Sequence, residues 1–113
     1  MPNPNGAKGT RFETDVTREF LGAGVYAVKP RQAGDKDIGD IHVGPDIVAQ
    51  AKAWKNVTSA LREGTKGAQL QAKRAKRPFG VTIIKKAQAP IRDAYVAMPL
   101  HVFISLLKSR QLL

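Results

Sequence analysis

Two short apolar segments, "DIHV" at residues 40–43 and "IVAQAKAW" at residues 47–54, flank the tripeptide "GPD". β-Branched residues on both sides of a Gly-Pro-Asp turn are typical of a β-hairpin. If "GPD" forms the loop, Val43 faces Ile47, and this pairing fixes the register of the two strands. The sequence therefore predicts an antiparallel pair around which the other elements must pack.

The predicted register brings three polar side chains together at one end of the hairpin. Asp40 lies opposite Gln50, and Lys52 shares their face because the side chains of a strand alternate between the two faces of a sheet. Aspartate is disfavoured in strands, which favours a specific role for Asp40. A slip of one residue would separate Asp40 from Gln50, so the prediction depends on the register.

The segment before the hairpin predicts a helix and a strand. Phe12, Val16 and Phe20 recur every fourth residue and form one apolar stripe, which "GAG" terminates. Thr10 is the predicted N-cap, with Glu13 in capping-box spacing. The following "VYAVKP" predicts a strand.

The segment after the hairpin predicts a second helix over residues 57–77, which Pro78 ends, and a closing helix that begins near Pro99. "FGVTIIKK" and "DAYVAM" predict the two strands between these helices. Small residues dominate the side of the second helix that we expect to face the sheet, which indicates close packing. The residues on that side are Val57, Ala60, Leu61, Gly64, Ala68, Ala72 and Ala75.

The predicted order is α-β-β-β-α-β-β-α, an α/β fold in which helices flank a mixed β-sheet. A chain of 113 residues is long enough for one hydrophobic core and too short for two. We therefore expect a single domain over residues 10–113. The Pro, Asn and Gly residues of "MPNPNGAKG" predict a flexible arm over residues 1–9.

The charge of the chain is large and unevenly distributed. The formal net charge is +10, and residues 51–86 hold ten Lys and Arg but only one acid, whereas residues 1–50 hold six Lys and Arg and seven acids. Such an excess indicates a polyanionic partner, with nucleic acid the leading candidate. The absence of cysteine excludes disulfides and thiolate zinc sites. Neither a membrane span nor a secretory leader is visible, so a cytoplasmic location without membrane partners is expected.

A cluster of acidic residues in a strongly basic chain is consistent with an enzyme that hydrolyses phosphodiesters. This reaction needs an activated water, relief of charge on the phosphate and help for the leaving oxygen, which a hard divalent cation beside a lysine supplies. Asp40, Gln50 and Glu13 are the predicted metal ligands, and Lys52 would orient the water or offset charge. Glu13 has a structural alternative, in which it only complements the dipole of the first helix turn.

The pattern of Asp40, nine intervening residues and "QAK", after a helix that bears Glu13, resembles the PD-(D/E)XK nuclease superfamily. More narrowly, "GTRFE", "VKPRQAGDKDIGDI" and "VAQAKAW" resemble archaeal-type and phage-type Holliday junction resolvases. "PFGVTIIKK" and "DAYVAMPLHVFISLL" are similar to the last strands and helix of small phage nucleases. The resemblance implies a restriction-endonuclease-like fold, a homodimer, cleavage of branched DNA, and Mg²⁺ as cofactor with Mn²⁺ as a substitute.

The chain departs from the family pattern at two positions. Gln50 stands where these families usually place Glu, although some members of the wider superfamily carry Gln there, and the resolvases often place Ser near the position of Asp35. Glutamine remains an oxygen ligand but removes one negative charge. We therefore expect weaker metal binding than in a site with Glu.

Two groups of basic residues, one from the N-terminal arm to the loop before the hairpin and one at the end of the second helix, are predicted to contact DNA phosphates. A helix terminus also favours cations, so dipole complementation is the structural alternative for the second group. The predicted phosphate contacts are Lys8, Arg11, Lys29, Arg31, Lys73, Arg74, Lys76 and Arg77.

The remaining polar and aromatic residues of this region have structural interpretations. Asp35 and Asp37 suit a solvated loop and Asp46 a turn, with Asp37 as the alternative metal ligand. His42 is expected to be a hydrogen-bonded packing residue. Trp54 is expected to be a core or interface residue, with base stacking as its alternative.

Three functions fit the sequence. The first is a metal-dependent, structure-specific DNA endonuclease that resolves Holliday junctions. The second is another phage-type or restriction-type DNA endonuclease. The third is a non-catalytic basic module that binds nucleic acid, for which the Asp40, Gln50 and Lys52 cluster has no evident use.

Overall fold

The computed structural model describes residues 4–31 and 37–110, with the side chains of residues 4–8 not described. The elements follow the predicted order, with one additional 3₁₀ turn before the last strand. They are α1 (Pro4–Gly22), β1 (Ala27–Val28), β2 (Ile41–Val43), β3 (Ile47–Lys52), α2 (Val57–Arg74), β4 (Phe79–Ile84), the 3₁₀ turn (Ile91–Asp93), β5 (Tyr95–Ala97) and α3 (Leu100–Ser109).

The five strands form one mixed sheet in the order β1-β2-β3-β4-β5. β3 and β4 are parallel, and the other neighbours are antiparallel. Parallel neighbours need a crossover connection, which α2 provides. The predicted α/β class with a mixed sheet is confirmed.

The core is divided between the two faces of the sheet. Phe12 and Val16 of α1 are buried in a cluster with Ile41, Ala49 and Ile83, which confirms the apolar stripe predicted for the first helix. On the other face, α2 packs against β3 and β4 through small residues. A Cβ atom added at Gly64 would lie 2.3 Å from Cγ2 of the buried Thr82. Small residues therefore let α2 approach the sheet closely, as predicted.

The start of α1 differs from the prediction. The helix begins at Pro4, so the predicted loop over residues 4–9 is helical, and residues 1–3 lie outside the described residues. Thr10 is an internal helix residue and not an N-cap. Glu13 consequently lies outside the first turn, and the structural alternative of a first-turn dipole partner is wrong.

The second helix ends at Arg74, three residues before the predicted end, and begins with Asn56 as its N-cap. Val57 and Leu61 are exposed, so these two members of the predicted inner side are wrong. Gln71 is instead buried, at 3 % exposure. Among the helices within residues 4–31 and 37–110, none has the length and apolar character needed to cross a membrane.

Candidate active site

The β2–β3 hairpin has the predicted register. Val43 pairs with Ile47 and Ile41 with Ala49, around the three-residue loop "GPD". The first loop residue, Gly44, has a φ of +57°, a conformation that glycine adopts without a steric penalty.

The hairpin opens at Asp40. The backbone amide of Asp40 donates to the Ala49 carbonyl at 3.2 Å, while the next amide along β3 on this side, that of Ala51, donates to the Asp40 carboxylate at 2.8 Å. β2 begins only at Ile41, whereas β3 continues beside β4 as far as Lys52. The last residues of β3 therefore extend past the end of its antiparallel neighbour, and the Asp40 carboxylate lies where the two strands part.

Glu13 and Asp40 form a carboxyl pair at this opening. Burial is the main cause that raises the pKa of both groups. The negative charge of Asp40 and a side-chain hydrogen bond between the two raise the pKa of Glu13 further. The Ala51 amide and the charge of Lys52 act in the opposite direction on the pKa of Asp40. The structure thus brings together three of the four predicted catalytic residues.

Gln50, the fourth predicted residue, follows Ala49 in β3 and approaches α2. Its Oε1 atom is buried and has no hydrogen-bond partner among the described residues. A Cβ atom added at Gly67 would lie 2.5 Å from this oxygen, so the amide fills the space that the glycine leaves. A buried amide oxygen without a donor is costly in a stable structure and is available to a cation.

Asp37 is attached to the second helix. Its Oδ2 atom accepts a hydrogen bond of 2.6 Å from Gln71 Nε2, and its Oδ1 atom accepts one of 2.9 Å from the Gly39 amide. These contacts match the structural interpretation of Asp37 and fix the loop just before Asp40. Asp35, the other loop aspartate, lies outside the described residues.

Two lysines, Lys29 and Lys52, act on the carboxyl pair through their charge. Lys29 follows β1, donates to Thr14 Oγ1 at 3.2 Å and lowers the pKa of Glu13 through its charge. Lys52 Nζ lies 4.4 Å from the ring centroid of Trp54. Trp54 is 42 % exposed, so its prediction as a core residue is wrong.

The basic residues at the end of α2 lie far from this site. Because β3 and β4 are parallel, α2 returns from the Lys52 end of β3 to its Ile47 end. The length of β3 separates the two ends by about 17 Å at the usual rise per strand residue. Arg77 donates to the Gly44 carbonyl at 2.7 Å and so fastens the hairpin loop.

The other predicted DNA contacts lie at both ends of the sheet. Lys73 and Arg74 are in the last turn of α2, and Lys76 follows it with a φ of 57°. Arg11 is exposed on α1 and Arg31 is exposed beyond β1. Lys8 lies in α1, and its side chain is outside the described part of the chain.

Two residues of this region were not identified correctly from the sequence. The role of Gln71 is evident only from its hydrogen bond to Asp37. The two residues are 34 positions apart, and no local pattern in the sequence indicates this contact. For Trp54, predicted as a core or interface residue, the core option is wrong, and its position just beyond the end of a strand and between two lysines indicates exposure. His42 behaves as predicted, with Nε2 2.8 Å from the Ile38 carbonyl oxygen.

The residues present fit a divalent cation in part. The Glu13–Asp40 pair and the unpaired Gln50 oxygen are the hard oxygen ligands that Mg²⁺ prefers. Within residues 4–31 and 37–110, however, no group of three or more His, Asp and Glu side chains is placed to hold a metal ion. A site here would therefore depend on two carboxylates with Gln50. No protein-family model, curated protein or solved structure matches the chain.

Proposed function

We propose that this protein is a divalent-metal-dependent DNA endonuclease that resolves four-way junctions by phosphodiester hydrolysis. The observation that carries the proposal is the Glu13–Asp40 carboxyl pair at the open end of the hairpin, within electrostatic reach of Lys52. Burial raises the pKa of both acids, and the charge of Asp40 raises that of Glu13 further, so their ionisation is unfavourable for the folded chain unless a cation or a proton compensates it.

Glu13, Asp40 and Gln50 would hold the cation. When bound, Mg²⁺ would stabilise charge on the phosphate and lower the pKa of a bound water. The Ala51 amide fixes the orientation of the Asp40 carboxylate through a hydrogen bond of 2.8 Å. The attachment of Asp37 to α2 holds the preceding loop in place.

Lys52 and Lys29 would act on the substrate phosphate. Lys52 projects from the part of β3 that extends past β2, and its ammonium group would offset charge on the phosphate or orient the attacking water. Lys29 lies beside Glu13 and would hold the strand that is cut. Both roles follow from the placement of positive charge next to the carboxyl pair.

A homodimer is part of the proposal, since a junction has two strands to cut and a twofold assembly presents two sites. Exposed apolar side chains on α3 and on β5 support it. Leu100 is 71 % exposed, and Phe103, Leu107 and Val96 are also exposed. Large apolar side chains that are left exposed are the residues that an interaction surface would cover.

The experiment is magnesium-dependent cleavage of a synthetic four-way junction, compared with a linear duplex of the same sequence. Lys52→Ala and Asp40→Asn serve as matched inactive variants that remove one charge each. Cleavage of the junction by the wild type and not by the variants is expected. Equal cleavage of junction and duplex would favour another type of DNA endonuclease.

The second candidate is a non-catalytic module that binds nucleic acid. It is favoured by Gln50 in place of an acid and by the lack of a three-acid cluster in the described residues. Tight junction binding without cleavage in Mg²⁺ or Mn²⁺, by protein shown to be folded, would select this alternative.

A further inference from the structure

A cavity of about 340 Å³ lies between α1 and the segments that follow β3 and β4. Its volume is within the range of roughly 300–1,000 Å³ that is usual for small-molecule sites. Phe12 and Ala53 contribute apolar walls. The polar and aromatic residues that line it are Arg11, Asp15, Trp54, Lys55, Lys85 and Gln88.

The charge of the cavity favours an anion. Arg11, Lys55 and Lys85 are exposed, and Asp15 is the one acid in the lining. Among residues 4–31 and 37–110, the one ion pair is that between Arg62 and Glu63 on α2. The three cations of the cavity therefore have no carboxylate partner among the described residues and are available to phosphate groups.

Trp54 connects the cavity to the proposed catalytic lysine. Its indole lines the cavity, and Lys52 Nζ lies 4.4 Å from the ring centroid. The ring is 42 % exposed although a tryptophan gains more from burial than most side chains. An exposed aromatic ring among unpaired cations is the combination that binds single-stranded nucleic acid, where bases stack on the ring and phosphates pair with the cations.

We propose that this cavity binds one unpaired DNA nucleotide next to the phosphate that is cut, with its base stacked on Trp54 and its phosphates paired with Arg11, Lys55 and Lys85. The subsite rests on the proposed nuclease function for its place in the reaction, and it adds a basis for substrate choice. A base must leave its own stack to enter the cavity, which is easier at a branch, a gap or an end than within a paired duplex. One protomer would thus already discriminate against intact duplex.

The first test uses Trp54 as its own probe, because it is the single tryptophan of the chain. A short oligothymidylate is titrated into wild-type protein in EDTA while tryptophan fluorescence is followed. Quenching by the single strand, and much weaker quenching by a blunt duplex at equal nucleotide concentration, is expected. Equal quenching by both, or none by the single strand, would overturn the subsite.

The second test compares variants by single-strand affinity in the absence of metal. Trp54→Ala should weaken binding by about 5- to 150-fold, which corresponds to roughly 1–3 kcal/mol for one base stacked on an aromatic ring. Trp54→Phe should retain most of the affinity. Tyr26→Ala is the matched control, because Tyr26 is also an exposed aromatic residue, at 67 % exposure. It lies at the opposite end of the sheet, where its carbonyl accepts a hydrogen bond from the Gly44 amide. Equal affinities of Trp54→Ala and Tyr26→Ala would contradict the proposal.

The two proposals fail separately. Quenching that depends on Trp54, without any cleavage in Mg²⁺ or Mn²⁺, would remove the nuclease function and leave a nucleotide-binding cavity. Junction cleavage with unchanged Trp54 fluorescence and with full activity of Trp54→Ala would remove the subsite and leave the nuclease. A junction that carries an abasic nucleotide beside the cleavage position should bind wild type and Trp54→Ala equally.

Discussion

The Ala51 amide donates its hydrogen bond to the Asp40 carboxylate at 2.8 Å. This amide of β3 is therefore paired with a side chain and not with a backbone carbonyl of β2. The contact ends the hairpin ladder and at the same time orients the carboxylate towards Glu13. Asp40 therefore has two separable roles, as a hydrogen-bond acceptor in the fold and as a charge in the proposed site.

Substitutions of Asp40 should separate these roles. Asp40→Asn keeps an oxygen for the Ala51 amide and removes the charge, so we expect near-normal stability and loss of cleavage. Asp40→Ala leaves a part-buried amide without its acceptor, which should cost about 1–3 kcal/mol of unfolding free energy in addition. Urea denaturation and junction cleavage measure the two effects. Equal stability of the two variants would contradict the structural role.

Lys52→Ala should lower cleavage by about 10²–10⁴-fold, the usual effect of removing a positioned group that assists proton transfer or charge development. Junction binding should change little, since phosphate contact is distributed over many cations. Gel-shift affinity in EDTA and single-turnover cleavage in Mg²⁺ measure the two quantities. Lys66→Ala, on the exposed part of α2, is the control for loss of one positive charge. Parallel loss of affinity and cleavage would contradict this division between binding and chemistry.

The carboxyl pair predicts how stability depends on pH without metal. The folded chain raises the pKa of both Glu13 and Asp40, chiefly through burial, so it binds protons more tightly than the unfolded chain. The resulting stabilisation is fully present below the ordinary carboxyl pKa values of about 4 and is lost as pH rises through the raised values. The free energy of unfolding in EDTA should therefore decline over this window. Asp40→Asn should reduce this decline, whereas Glu63→Gln, which removes a charge from an exposed ion pair, should not. The same pH profile for wild type, Asp40→Asn and Glu63→Gln would contradict the contribution of the Glu13–Asp40 pair to stability.

The hairpin register could be predicted from the sequence because a three-residue turn and the alternation of strand side chains leave few options. The contact between Gln71 and Asp37 could not, because it joins residues 34 positions apart and depends on how closely α2 approaches the sheet. Val57 and Leu61 fit an apolar helix face by spacing, but they are exposed. Periodicity identifies a helix, whereas the width of the face that is covered depends on tertiary packing.

Gly67→Ala should affect the site more than the fold. The added Cβ would lie 2.5 Å from Gln50 Oε1, the end of a flexible side chain that can move away. Alanine gains about 0.5–1 kcal/mol over glycine within a helix, which offsets part of the strain. We expect stability near that of wild type with a higher magnesium midpoint for cleavage. Gly80→Ala is the contrasting variant, because its Cβ would meet the Ala68 backbone oxygen at 2.3 Å and the fold should be strongly destabilised.

Gln50→Glu tests the unpaired oxygen directly. Glutamate places a negative charge where Gln50 Oε1 is buried without a donor, and this charge would be the third of the proposed metal site. In EDTA this charge is uncompensated, so the variant should melt at a lower temperature than wild type. Magnesium should raise its melting temperature more than that of wild type, and cleavage should reach half its maximum at a lower magnesium concentration, because carboxylate is the better hard-cation ligand. Gln69→Glu, at a glutamine of α2 that donates to the Gly80 carbonyl, is the control for the same substitution away from the site. If the magnesium midpoint is the same in folded Gln50→Glu and wild type, Gln50 does not contact the cation, and Glu13 and Asp40 alone would have to hold it.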